Sequence, residues 1–259
     1  MVDIHAHLLP GIDDGPGELA DALDMARAAV GEGIETIAVT PHLRSDFPQV
    51  HVEEIAGRCE DLRSELARAG IPLRIVPGAE ASLLWALEAD EPELKLASYG
   101  QLGTDLLIEP PAEAPLLDQL LHGLQERGFR LTLAHAERSS MLHRDPDRLR
   151  ALRERGILIQ VNAGALLAPR GSEERRFAEQ ICRHGLADVL ASDGHRGTSW
   201  RPVIDLPAAL GAAQLLVGPL RARWMASDAP AAIIAGAELP PAPPVDPEPV
   251  PWWRRVWGS

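Results

Sequence analysis

Seven short runs rich in β-branched and leucine side chains punctuate this 259-residue chain, and longer helix-like stretches separate most of them. The runs are Val2 to His5, Ile34 to Thr40, Leu73 to Val76, Asp105 to Ile108, Arg130 to Ala134, Ile157 to Val161 and Asp188 to Ala191. Strands that alternate with helices pair in parallel through right-handed crossovers, because a helix carries the chain back to the same end of the sheet. Runs such as LLI and ILIQV are apolar on both faces, which fits a sheet covered on both sides. The pattern therefore predicts an α/β fold. A closed or nearly closed β/α barrel over residues 1–239 is the natural arrangement, and a doubly wound open sheet is the other one allowed. Gly15-Pro16 opens a predicted helix whose stripe is Leu19, Ala22, Leu23, Ala26 and Val30, and Gly33 ends it. A second helix is expected from Val52 to Ala69.

Residues able to do chemistry stand just after these runs. Asp3-Ile4-His5-Ala6-His7 and Asp13-Asp14 belong to the first, Thr40-Pro41-His42 to the second, Gly78-Ala79-Glu80 to the third and Glu109-Pro110-Pro111 to the fourth. His135 follows the fifth within LAHAER, Asn162 the sixth, and Ser192-Asp193-Gly194-His195 the seventh. In a β/α barrel all these ends open onto one face, so distant residues would meet in one cavity. Histidines and carboxylates without a cysteine form an N/O donor set suited to zinc, manganese or iron(II). His5 and His7 are two apart on an extended segment, so both imidazoles point the same way and one ion can take both. Glu80 has two oxygens and can bridge two ions. The candidates outnumber one ion's needs and predict a cluster of two or three. Each residue also has an ordinary reading by itself. Asp13 and Asp14 beside Gly11 and Gly15 are turn formers. Glu137 and Arg138 read as an exposed pair, and His51, His122, His143 and His184 as surface residues.

A formal net charge of −13, from 25 basic and 38 acidic side chains, argues against general affinity for nucleic acid or anionic lipid. With 46% hydrophobic and 24% charged residues, global disorder, collagen-like repeats and a coiled coil are excluded. Cys59 and Cys182 belong to no CxxC pair and read as buried, reduced thiols. The opening MVDIHAHLLPG lacks the basic region of a signal peptide, and no stretch reaches the ~20 apolar residues of a membrane span. A cytoplasmic protein is expected. Seven prolines between Pro240 and Pro251 predict an extended spacer rather than a packed element, so 240–259 reads as a tail. Trp252, Trp253 and Trp257, interleaved with Arg254 and Arg255, suit weak docking on a membrane interface or a partner.

In this order and spacing, DIHAHLLPGIDDG, TPH, GAE, IEPP, LAHAER, QVN and ASDGH resemble the PHP (polymerase and histidinol phosphatase) superfamily. Within it, the likeness is to the bacterial manganese-dependent protein tyrosine phosphatases of capsule and exopolysaccharide loci, over roughly residues 1 to 235. The resemblance implies the PHP fold, a distorted (β/α)7 TIM-like barrel, holding two or three Mn²⁺ ions, with iron or zinc able to replace them. His5, His7, Glu80 and Asp193 would hold one ion by the family pattern. Glu80, Glu109 and His135 would hold a second, and Asp14, His42 and His195 a third. Arg138 and Arg201 would bind the substrate phosphate. The implied reaction is hydrolysis of phosphotyrosine by metal-bound hydroxide, without a phospho-enzyme. The implied substrate is the tail of a bacterial tyrosine kinase that governs polysaccharide export.

This sequence departs from that pattern in three places. Ser139 stands where the family often has an aromatic residue. HRGTSWRP is one residue longer than the common pattern and offers Arg196 as a competing phosphate ligand, and the proline-rich tail has no counterpart. Competing functions are a phosphatase of histidinol phosphate or sugar phosphates, a non-catalytic kinase-binding scaffold, and a metal-dependent amidohydrolase. The last usually has a bridging lysine after a middle strand, whereas Lys95, the sole lysine, lies outside every strand-end motif.

Overall fold

In the computed structural model, which describes residues 1–111 and 113–246, each predicted run contains a strand, and two runs continue into a second, shorter one. The strands are β1 (Val2–Ala6), β2 (Thr36–Val39), β3 (His42–Leu43), β4 (Arg74–Pro77), β5 (Glu80–Ser82), β6 (Asp105–Glu109), β7 (Arg130–Leu133), β8 (Leu158–Asn162) and β9 (Val189–Ala191). Every ladder between them is parallel. They form two sheets, β1-β2-β4 and β3-β5-β6-β7-β8-β9. The chain passes from one sheet to the other at Thr40-Pro41 and at Gly78-Ala79, where the sequence reading had single runs. Pro41 and Pro77 have no N–H to give a ladder, which favours a break at these points. The breaks are spanned by Gly78 N–H donating to Val39 O (3.0 Å) and Glu80 N–H donating to Pro41 O (3.1 Å), so the staves remain continuous.

The ring closes where β1 meets the end of β9. Asp193 N–H donates to His5 O at 2.9 Å and His7 N–H donates to Gly194 O at 2.8 Å, beside a bridge between Ala6 and Gly194. The result is a distorted seven-stave β/α barrel, not an open sheet. Strand residues of one parity, among them Ile37, Val39, Ile75, Ile108, Leu131 and Ile159, pack in one cluster with helix residues. Those of the other parity, Ala38, Val76, Leu107, Val189 and Ala191, form a separate cluster with Ile4, Tyr99, Ile233 and Ile234. Burial on both faces explains why the runs show no polar alternation. The Tyr99 hydroxyl donates to Ile4 O at 2.9 Å inside the second cluster, so this buried phenol is satisfied.

The first helix, Leu19–Gly31, buries Ala22, Met25, Ala26 and Ala29, but it starts later than Gly15-Pro16 suggested. Residues 11–18 instead form a loop pressed onto the barrel mouth. A Cβ at Gly15 would lie 2.6 Å from the His7 carbonyl oxygen, so only glycine fits there. The second helix, Ile55–Arg68, follows a 3₁₀ turn at Val52–Glu54 and buries Ile55, Cys59, Leu62 and Leu66.

The proline-rich segment, expected as an unpacked spacer, is docked as far as it is described. Trp224 Nε1 donates to Pro240 O (3.0 Å), Arg221 Nη1 to Pro243 O (3.3 Å) and Asp246 N–H to Val217 O (3.1 Å). Leu239 and Val245 pack on the core beside them. Prolines bring carbonyl acceptors without donors that would need partners, which suits such a strap. Trp252, Trp253, Trp257, Arg254 and Arg255 lie outside the described residues.

Both cysteines are buried, and burial pushes each thiol up to about 12. At pH 8 both are protonated and shielded. Iodoacetamide is expected to label neither cysteine in the native protein and both in denaturant, as read by intact mass. Rapid native labelling would contradict this packing.

Candidate metal centre

The strand ends deliver their polar side chains to one place at the barrel mouth. His5, on β1, and His7, just beyond it, hold their Nε2 atoms 3.2 and 3.4 Å from Glu80 Oε2. The same two atoms lie 3.5 and 3.7 Å from Asp193 Oδ1. Glu80 opens β5, and its Oε1 accepts from His135 Nε2 at 2.7 Å. Glu109 ends β6 with Oε1 3.9 Å from that imidazole nitrogen. On the other flank, Asp14 Oδ1 lies 3.2 Å from His195 Nε2 and 3.4 Å from His42 Nε2, while His42 Nδ1 is 2.9 Å from Glu80 Oε2. The nine residues singled out in the sequence thus converge. Three overlapping groups have donor atoms within 4.8 Å of one another: His5, His7, Glu80 and Asp193; His7, Asp14, His42 and His195; and His42, Glu80 and Glu109.

Five of these donor atoms are buried without a hydrogen-bond partner: His5 Nε2, His7 Nε2, Asp14 Oδ1, His42 Nδ1 and Glu80 Oε2. A buried polar atom left unpaired costs about 1–3 kcal/mol, so five in one cage serve something other than fold stability. Imidazole nitrogens and carboxylate oxygens facing one another fit divalent cations. Burial would raise the Glu80 carboxyl, but the imidazoles of His5, His135 and His42 outweigh it and hold Glu80 well below the carboxylate range. Burial also opposes charge on Asp193, and His5 and Arg138 overcome it. Burial alone would lower His42, yet the Asp14 and Glu80 carboxylates facing its ring push it up to about 9. Both carboxylates are therefore ionised, the state in which they bind cations.

A second layer of hydrogen bonds orients the donors. His7 Nδ1 donates to Asp13 Oδ2 at 2.7 Å, and Asp13 Oδ1 accepts from Gly15 N–H at 2.9 Å. Asp13 is thus both the turn former read from sequence and the carboxylate that fixes His7. His5 Nδ1 donates to Gln160 Oε1 at 2.9 Å; Gln160 Nε2 donates to Asn162 Oδ1, and Asn162 Nδ2 to Asp193 Oδ2 at 2.8 Å. Gln160 stood in the QVN motif of the resemblance but was given no role of its own. Arg44 Nη1 donates to both Glu109 oxygens, at 3.1 and 3.0 Å.

Two expectations are corrected. Glu137 is not half of an exposed pair: it is fully buried, its Oε1 accepts from Asn162 N–H at 3.3 Å, and burial raises its carboxyl. His143 is half-buried rather than on the surface, with Nε2 on the Glu137 carbonyl and its ring 4.2 Å from Phe177. The physical reason is the backbone at His135, whose φ of 32° turns the following residues back under the mouth. Arg138 then reaches Asp193 Oδ2 through Nη1 at 2.8 Å. With Ser140, Arg144, Glu173 and Glu174, these residues line a cleft of about 600 Å³ beside the cage. Arg201 Nη1 stands 3.6 Å from the same Asp193 oxygen and 3.3 Å from His195 Nε2. Arg196, the alternative phosphate ligand, is committed to the carbonyls of Asp14, Gly15 and His195. His135, Asp193 and Arg201 are three of the four non-glycine residues with positive φ among those described. Such a conformation costs about 1–2 kcal/mol each and is held here where side chains must be aimed inward.

Residues 1–215 match the family described as "Capsular polysaccharide synthesis, CpsB/CapC". The tyrosine-protein phosphatase YwqE of Bacillus subtilis is 33% identical over 196 residues, covering 75% of this chain and 77% of that protein. The tyrosine-protein phosphatase CpsB of Streptococcus pneumoniae is 28% identical over 215 residues, covering 78% and 86%. A crystal structure from work on YwqE and CpsB, described there as unique metal-dependent tyrosine phosphatases, superposes with a TM-score of 0.80 at 30% identity. It covers 95% of this chain and 100% of that one. A Listeria monocytogenes lactonase shares the fold alone, with a TM-score of 0.51 at 12% identity.

A cage of unpaired donors makes cation binding a stabilising event. At 100 times the dissociation constant, a bound ion adds about 2.7 kcal/mol to folding stability. Thermal melts are expected to shift upward by several degrees with Mn²⁺ and back with a chelator. The double change His5→Ala with His7→Ala should remove the response while leaving a cooperative melt. A Tm indifferent to divalent ions would argue against the cage.

Proposed function

Since this chain belongs to the CpsB/CapC family of capsular polysaccharide synthesis, we infer that it is a metal-dependent tyrosine phosphatase, and we propose the following residue roles. The observation that carries this reading is the Glu80-centred cage with two guanidinium groups, Arg138 and Arg201, converging on Asp193 at its edge. His5, His7, Glu80 and Asp193 would hold one ion, Glu80, Glu109 and His135 a second, and Asp14, His42 and His195 a third. Manganese is the proposed ion, with iron or zinc able to replace it. Bound there, divalent cations supply an acidified water for attack near neutral pH and neutralise charge on the phosphoryl oxygens. Arg138 and Arg201 offer forked donors matched to those oxygens. Phenolate leaves readily, because its conjugate acid has a pKa of ~10, so the leaving group needs little protonation.

The chain's own residues disfavour the competing chemistries. Cys59 and Cys182 are shielded and held protonated by burial, so neither supplies a thiolate nucleophile and no phospho-enzyme is needed. Lys95 is exposed on the helix Glu91–Ala97 and bridges nothing at the strand ends, which weighs against an amidohydrolase centre. The complete donor set weighs against an idle scaffold. We further propose that the substrate is a tyrosine-phosphorylated protein, the tail of a bacterial tyrosine kinase controlling capsule or exopolysaccharide synthesis, met in the cytoplasm. The cleft beside Arg138 supports this, as it has room for peptide flanking the phosphate. Among the described residues no helix is long and apolar enough to cross a membrane.

The test is turnover of a phosphotyrosine peptide beside histidinol phosphate and a sugar phosphate. The peptide should be preferred, chelation should abolish turnover, Mn²⁺ should restore it, and iodoacetamide should leave it intact. Arg138→Ala should lower kcat/KM about 10²-fold, the size of effect seen when one preorganised donor to a developing charge is removed. Activity that survives chelation, or a clear preference for the small esters, would overturn the reading.

A further inference from the structure

We propose that Trp200 is the wall of an aryl subsite, against which the ring of a substrate packs while its phosphate is held by Arg201 and Arg138. The substrate class rests on the phosphatase reading above; the new element is the residue that senses the aromatic ring. Trp200 is 54% exposed, an indole left in water at the rim of a polar cage. Its ring is thus open to pack against another ring brought to the rim of the cage.

The segment that carries it is built rather than loose. His195 N–H donates to Arg201 O and Val203 N–H donates to Arg196 O, both at 2.8 Å, and a bridge joins Arg196 to Pro202. These bonds fix the base of a short loop, closed by a parallel bridge, whose tip holds residues 197–200, in the segment that is one residue longer than the family pattern. The Trp200 and His195 rings meet at a centroid distance of 5.0 Å in T-shaped contact. Arg201 Cζ lies 5.0 Å from the Trp200 ring centroid, a cation–π pair. The same guanidinium therefore touches the indole and reaches Asp193 and His195 in the cage. A phosphoryl group taken by Arg201 would carry its ester substituent one bridging oxygen away, next to the indole. An aryl substituent has a face and an edge to pack there, and an alkyl one has neither.

The other aromatic at the mouth does a different job. Phe47 stacks on His42 at 5.0 Å with ring planes 11° apart and is only partly exposed. Its face is already occupied by that imidazole, so it braces His42.

Binding of phenylphosphonate and methylphosphonate to the metal-loaded protein, measured by calorimetry, separates the ring from the phosphate. Wild-type protein should bind phenylphosphonate about tenfold tighter, the worth of one good aromatic contact. Trp200→Ala should erase that margin with the bound metal content unchanged, and Trp200→Phe should keep most of it. With phosphotyrosine peptide, Trp200→Ala should raise KM more than it lowers kcat. A margin that survives Trp200→Ala would overturn the proposal. Equal weakening of both phosphonates would also overturn it, since Trp200 would then only prop Arg201. Neither phosphonate is hydrolysed, so a protein that shows the margin yet turns over no phosphotyrosine would sink the proposed function and leave the subsite standing.

Discussion

A carboxylate at 0% exposure, Glu80, has to remain charged, and most of the architecture around it serves that need. Alone in such a place a carboxyl would take up a proton, because burial penalises the ion. Four imidazoles, from His5, His7, His42 and His135, come within 3.4 Å of its two oxygens and keep it ionised. No local stretch of chain brings four histidines around one glutamate. They come from three different staves of the barrel, so the charge on Glu80 depends on the tertiary fold being complete.

The barrel accommodates this by departing from regularity where the site requires it. Its second and third staves are broken at Pro41 and Gly78-Ala79, which restarts them as β3 and β5 and places His42 opposite Glu80 in register. The first stave shifts register between Asp3 and Ala6, the kind of irregularity that re-aims side chains at a barrel rim. His135, Asp193 and Arg201 sit in the left-handed region, where a Cβ is unfavourable. Strain concentrated at the mouth, with a regular ladder elsewhere, is the pattern expected when the scaffold stabilises a geometry that the site alone would not adopt.

How much of this was legible in the sequence depended on whether the signal was local. The staves were readable because apolar runs and intervening helices are local patterns. His5, His7, Glu80, His135 and Asp193 were readable because a strand end is a position along the chain, and a parallel barrel turns such positions into neighbours. Gln160 and His143 were not. Gln160 matters because its side chain reaches from β8 across to His5 on β1, and nothing in ILIQVN announces that contact. Glu137 looked like half of an ordinary surface pair, since the left-handed turn at His135 that buries it is not encoded by a glycine. Asp13 was read correctly as a turn former, but its second oxygen faces His7, and a turn motif does not say what its spare acceptor will meet. The proline-rich segment misled for a related reason: composition says that prolines cannot join a ladder, but not that their carbonyls will find Trp224 and Arg221.

The choice between a barrel and an open sheet, which periodicity leaves undecided, is settled by the same contacts that assemble the site. In a doubly wound sheet, strand order is free to separate the first strand from the last, and His5 and Asp193 need never meet. Here Asp193 N–H donates to His5 O while His5 Nε2 faces Asp193 Oδ1, so ring closure and the inner donor group share two residues. Asp3 strengthens the seam by accepting from Ser192 N–H at 3.1 Å, one residue before Asp193. Closure therefore cannot be loosened without spreading the donors, and pulling the donors together with a cation would tighten closure. Linkage is reciprocal: whatever binds the inner group must stabilise the ring, and whatever strains the seam must weaken binding.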